Sequence, residues 1–348
     1  MTIDRLARAT TALTILLLLT ACSGDATNIV SPSDENSAAR RKPADTTTAS
    51  PAPTTIASTL AGAVLWVDPN SSARRTADAW RVTRPADAAQ MDKAASSAVA
   101  RWIGNWNTNV MADVDAAVTT IAGTGALPVF VAYNIPQRDC GGLSGSNGTT
   151  ADSYRSWITA FANGIGSRRA AVILEPDALA AMDCLNATDQ QMRLDLLKYA
   201  VQTFAAKGSV TVYLDAGNPR WKSASTMASR LVSAGVASAR GFSLNISNFL
   251  RTSDNVDYGA QISALTGGKH YVIDTSRNGL GPTADFQWCN PEGRALGDRP
   301  TTTTGSPLVD ALLWIKMPGE SDGACNGAPA SGTWMPEYAL GLAQRAAY

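Results

Sequence analysis

Apolar residues fall along this chain in short uninterrupted runs, at 64–68, 127–133, 170–175, 210–215, 241–246, 271–274 and 311–316. The runs favour β-branched residues and do not alternate apolar with polar positions, as strands buried on both faces do. Between them, stretches such as 153–164 and 189–207 repeat their apolar residues at helical spacing. This alternation predicts an α/β fold: a parallel sheet of seven strands closed or nearly closed into a β/α barrel of the TIM-like kind. On such a barrel the chemistry sits at the C-terminal ends of the strands.

The amino-terminal part follows a different pattern. Arg5 and Arg8 precede a short apolar stretch at 11–20, and Leu19-Thr20-Ala21-Cys22 resembles a bacterial lipobox, where cleavage before the cysteine is coupled to its acylation. The apolar stretch is too short to span a bilayer as a helix. Residues 1–21 are therefore expected to be a lipoprotein signal peptide and Cys22 the lipidated residue. Residues 22–60 are rich in Ser, Thr, Ala and Pro and read as a flexible spacer. Uniform composition over 61–348, without a second linker or repeat, predicts a single domain. The expected location is the extracytoplasmic cell envelope, as a monomer held to the membrane by its lipid.

Composition narrows the chemistry. Lys and Arg number 29, matched by 29 Asp and Glu, and no basic patch or RNA-binding motif appears, which argues against nucleic acid as a partner and leaves neutral sugars open. Apart from Cys22, the cysteines are Cys140, Cys184, Cys289 and Cys325, an even set that predicts two disulfides with three possible connectivities. No C-x-x-C pair occurs and His270 is the one histidine, so neither a metal site nor a cofactor is expected. A single histidine inside a strand run, with no G-x-S-x-G elbow, also disfavours a serine or cysteine hydrolase. Rossmann and P-loop glycine patterns are incomplete. Hydrolysis here would rest on carboxylates.

Carboxylates close the apolar runs. Asp139 follows the second, Glu175 and Asp177 the third, Asp215 the fourth, Asp274 the sixth, and Glu320 and Asp322 the seventh. An Asp after a strand commonly caps the next helix. Acids at five strand ends, some beside cysteines that would pin the loop, point instead to a shared site.

These segments carry a family resemblance. Leu65-Trp66-Val67-Asp68-Pro69-Asn70, residues 133–140, Glu175-Pro176-Asp177, Tyr213-Leu214-Asp215-Ala216-Gly217, Asp274-Thr275-Ser276-Arg277-Asn278-Gly279, Trp288-Cys289-Asn290-Pro291 and residues 314–323 stand in the order seen in glycoside hydrolase family 6. The chain resembles that family of β-1,4-glucanases over essentially its whole domain. The resemblance implies a distorted, seven-stranded α/β barrel with an open or tunnelled cleft at the strand C-termini, and the pairings Cys140–Cys184 and Cys289–Cys325. It also implies inverting hydrolysis of β-1,4-glucan, which needs an acid and a base roughly 6.5–9.5 Å apart.

By the same resemblance, Asp177 is the general acid, Asp139 supplies a neighbouring charge and aligns water, and Asp322 is the base. Tyr133 crowds the sugar ring at the cleavage point. Asp215, Asn218, Asn248, Lys316 and Glu320 are sugar-binding, with Trp102, Trp221 and Trp288 as stacking platforms. Trp66, Trp157 and Trp314 are expected in the core. Asn218 stands where the family has His, which puts the affinity of that subsite in question. Compact spans between the paired cysteines leave little chain to roof a tunnel, so endo action is expected, with an exo-acting cellobiohydrolase as the alternative. A glycan-binding lipoprotein without activity is the other rival, and it would not need all three aspartates.

Overall fold

The computed structural model describes Ser58, residues 60–142 and residues 148–348. The expected signal peptide, Cys22 and most of the 22–60 spacer lie outside the described residues. Seven strands, β1 (Arg101–Gly104), β2 (Val129–Tyr133), β3 (Ala170–Leu174), β4 (Val210–Asp215), β5 (Gly241–Leu244), β6 (His270–Asp274) and β7 (Val309–Leu313), form one sheet in sequential order. Every ladder is parallel. Parallel neighbours require crossovers. Helices α3 (Val110–Gly123), α4 (Ala151–Ile165), α5 (Ala187–Ala205), α6 (Ala224–Ser233) and α7 (Thr252–Leu265) supply the first five, while β6 reaches β7 through a long loop.

Alternate residues of each strand feed two different cores. Phe130, Val172, Leu174, Val212 and Phe242 pack outward with apolar side chains of the helices. Val131, Ala171, Ile173, Val272 and Leu313 pack inward together, with Leu60 fully buried among them. Both faces being covered is why the strand segments read as unbroken apolar runs. The sheet curls into an incomplete barrel. No ladder joins β1 to β7, but Ala100 N–H donates to the Trp314 carbonyl at 2.9 Å and Trp102 Nε1 to that of Ile315 at 2.8 Å. Helices α1 (Ser72–Trp80), α2 (Pro85–Ala95) and α8 (Pro336–Gln344) pack around Trp314 in a third cluster.

Two sequence expectations are corrected. The run at 64–68 is not a sheet strand; Leu65 makes only an isolated bridge to Leu127. The first strand is Arg101–Gly104, whose first half is exposed or half-buried because it lies on the sheet edge, so its sequence shows no apolar run. The seventh strand ends at Leu313, and 314–316 begin the loop that leads to Lys316.

The one histidine lies away from the strand C-termini. His270 opens β6, and its Nδ1 is 2.9 Å from Asp310, which also accepts from Arg240 Nε at 2.8 Å and Tyr213 Oη at 2.6 Å. Ser58 reaches the same Tyr213 hydroxyl at 3.0 Å. This polar cluster is structural.

Candidate active site

The C-terminal ends of the strands open into a cleft of about 1350 Å³. The strand-end acids divide into two sets there. Asp139, Asp177, Glu320 and Asp322 line the cleft. Glu175, Asp215 and Asp274 are buried and are absent from its lining.

Each buried acid ties a neighbouring strand end in place. Glu175, at the end of β3, accepts the Asn134 N–H at 3.0 Å and the Ile135 N–H at 3.1 Å, gripping the loop that carries Asp139. Burial pushes its carboxyl up to about 7, against the pull of those N–H donors. Buried Arg193 of α5 completes the clamp, donating to the carbonyls of Pro136 at 2.9 Å, Gln137 at 2.8 Å and Ala178 at 3.2 Å. Asp274 accepts from the N–H groups of Ser276, Lys316 and Ser247 at 2.9, 3.0 and 3.1 Å, joining the ends of β5, β6 and β7.

Asp215 holds the backbone of Asp177 itself. Its Oδ2 accepts the Asp177 N–H at 2.9 Å and the Gly217 N–H at 3.1 Å. Burial raises its own carboxyl to about 7. The sequence reading put Asp215 against the sugar; the structure places it at 1% exposure, outside the cleft lining. Its Oδ1 accepts from the Ser243 hydroxyl at 3.4 Å, and its backbone contacts arise where the chain turns sharply, with Gly217 in the left-handed region at φ 63°.

Asp177 is held in a backbone conformation that side chains rarely adopt, with φ 71°, and Glu175, two residues earlier, has φ 50°. Its carboxyl opens on the cleft, yet its pKa is raised well above the usual carboxylate range. Burial is the largest cause, followed by the charges of Asp215, Asp139 and Asp322. Asp139 is likewise in the left-handed region, at φ 56°, and next to it the disulfide Cys140–Cys184 ties the loops after β2 and β3 with Cα atoms 6.1 Å apart.

Asp322 sits opposite in the chain, on the loop after β7. Its Oδ2 takes Arg277 Nη1 at 2.8 Å and the Asn290 N–H at 3.0 Å, while Oδ1 lies 3.7 Å from Lys316 Nζ. Arg277 is wholly buried and also donates to the Ser247 carbonyl. Burial lowers the Lys316 ammonium and raises Glu320. The second disulfide, Cys289–Cys325, fixes this corner with Cα atoms 6.3 Å apart.

Tyr133, Trp102, Asn218, Asn248, Trp221 and Trp288 all line the same cleft. Trp102 meets Tyr133 edge-on at 5.1 Å between ring centroids, and Arg138 stacks on the Tyr133 ring at 4.0 Å. Asn218 is mostly buried and uses its Oδ1 to accept the Arg220 N–H at 3.0 Å, a local turn contact. Trp157 and Trp314 pack in the apolar clusters, as expected. Trp66 does not: it is half-buried and lines the cleft.

Sequence reasoning missed Trp106 and Phe286 in the cleft, and Arg193 and Asn290 beneath it. The first two lie in loops without periodicity; the last two are ordinary polar residues whose partners are distant in sequence. Among the described residues, no group of His, Cys, Asp and Glu converges in a metal-ligand arrangement.

Comparison with known proteins gives concordant matches. The model of a family described as "Glycosyl hydrolases family 6" matches residues 60–346. Endoglucanase A of Cellulomonas fimi is 45% identical over 284 residues, covering 81% of this chain and 61% of that protein. Endoglucanase 1 of Streptomyces halstedii is 42% identical, over 79% of this chain and 86% of its own length. The chain thus spans less than two thirds of the first relative and most of the second. The structure of the endoglucanase Cel6 from Mycobacterium tuberculosis, in complex with a thio-linked cellobioside, superposes with a TM-score of 0.78 at 46% identity. That likeness covers 82% of this chain and 98% of the other.

Proposed function

This chain belongs to glycoside hydrolase family 6, and on that premise we propose that it is an endo-acting β-1,4-glucanase whose general acid is Asp177. The observation that carries the assignment is the Asp177 carboxyl, open to the cleft and raised by burial and by three neighbouring acids. A carboxylic acid that keeps its proton near neutral pH can protonate a glycosidic oxygen as the bond to the anomeric carbon breaks. Water attacks the opposite face and gives up a proton to the Asp322 and Asp139 side of the cleft, so the configuration inverts and one water is consumed per bond cut. Tyr133, packed by Trp102 and Arg138, is placed to crowd the ring, and the indoles of Trp102, Trp221 and Trp288 offer stacking faces.

Endo action is supported by the exposure of the aromatic residues. Trp288 is 53% and Trp221 39% exposed, and both line the cleft. The segments between paired cysteines span only 44 and 36 positions. The named relatives described above are all endoglucanases. Viscometry of carboxymethyl cellulose, run beside a reducing-end assay, tests this reading. Viscosity should collapse while few reducing ends have formed. Slow thinning with cellobiose as nearly the sole early product would mean exo action instead.

Leu19-Thr20-Ala21-Cys22 and the Pro-rich stretch after it support a lipid-tethered form in the cell envelope. Cys22→Ala should move the protein out of the membrane fraction or stall its processing. Unchanged partition on detergent extraction would refute the tether.

A further inference from the structure

We propose that Trp106 is a glucosyl-stacking platform, a sugar subsite additional to those of Trp102, Trp221 and Trp288. The inference rests on the β-glucanase reading of the same cleft. Among the described residues, five aromatic side chains are markedly exposed: Trp106, Trp221, Phe286, Trp288 and Tyr348. All but Tyr348 line the cleft. Exposed aromatic area scattered over a surface needs no explanation, but area gathered in one groove marks a binding face. Trp106 is the most exposed of them, at 54%.

Its ring is also held ready. One part of the indole lies directly on Gly104, where an added Cβ would come within 2.4 to 2.8 Å of three ring carbons. The short loop beneath it is closed twice. Gly104 N–H donates to Asn107 Oδ1 and Asn107 N–H to the Gly104 carbonyl, each at 3.0 Å. Asn107 Nδ2 then anchors to Asp113 on α3 at 2.8 Å. With its backing surface filled and its loop fixed, the ring loses little freedom when a flat apolar face covers it. The axial C–H face of a β-linked glucose offers such a surface.

Position fits a sugar path. Neighbouring Asn105 Oδ1 accepts from Arg138 Nη2 at 3.4 Å, which joins this loop to the one carrying Asp139. Trp106 follows β1 and Trp221 follows β4, so the two flank the β2 and β3 loops that bear Asp139 and Asp177. A chain crossing the cleft between them would pass over the acids.

The test uses oxidative footprinting of the full-length Asp177→Ala protein with and without cellohexaose, read residue by residue by mass spectrometry. Trp106 should be shielded when the sugar is bound. In the same background, Trp106→Ala should weaken cellohexaose binding about three- to tenfold by calorimetry, the worth of one aromatic stacking contact. Trp106→Phe should keep most of the affinity. An equally oxidised Trp106 in the presence of saturating cellohexaose overturns the proposal, whatever the variants do. The wild-type viscosity assay separates this from the parent reading: an active enzyme with an unshielded Trp106 is a glucanase without this subsite.

Discussion

Asp177 can act as an acid only while its carboxyl holds a proton, and the proton is kept there by burial and then by the charges of Asp215, Asp139 and Asp322. The acid form is populated below this raised pKa and is lost as pH climbs through it, so activity should decline on the alkaline side. Asp139→Asn removes one of the raising charges. The alkaline limb of the kcat/KM profile should therefore move toward lower pH, by an amount that high salt diminishes little because the pair is sheltered. An alkaline limb left where it was, with only its height changed, would mean that Asp139 does not tune the acid. Residue types at strand ends marked Asp139, Asp177 and Asp322 as candidates in the sequence, and the family resemblance supplied the roles expected of them. They could not tell Asp215 from these, because the same residue after the same kind of strand turns either to the cleft or onto backbone N–H groups. The direction depends on the φ of residues such as Glu175 and Gly217, which sequence does not express.

At the scale of elements, the central strands were the most legible. Strand β4 was expected at 210–215 and runs Val210–Asp215, since both of its faces are buried and every residue is apolar or internally paired. Helices α4 and α5 lie within two residues of their expected bounds, each opened by a side-chain cap, Thr150 and Asn186. The edge strand β1 was missed for the converse reason. Arg101 is exposed and Trp102 only half-buried, because that edge donates two hydrogen bonds to carbonyls just after β7 in place of a ladder. Missing β1 also hid Trp106, whose place in the cleft follows from being two residues beyond that strand. The disulfide pairs were implied by family resemblance; spacing alone left three connectivities, and the loops that bring Cys140 to Cys184 are set by the sheet order.

For the molecule as a whole, the buried and cleft-facing acids form one construction. Glu175, Asp215, Asp274 and the Arg277–Asp322 pair lock adjacent strand ends to one another, and the cleft-facing carboxyls stand on that frame. A rigid frame holds cleft-facing side chains in one geometry before any ligand arrives, which lowers the entropic cost of orienting them. The proposed role of Asp177 is to supply the leaving group with its proton. It is tested most directly by comparing kcat of Asp177→Ala with wild type on cellohexaose and on a dinitrophenyl cellobioside, with the fold checked by circular dichroism. A sugar leaving group needs the proton, so kcat on cellohexaose should fall about 10²- to 10⁴-fold. The dinitrophenolate departs without help, so its release should fall far less. Near wild-type turnover of cellohexaose, or an equal loss on both substrates, would mean that Asp177 is not the proton donor.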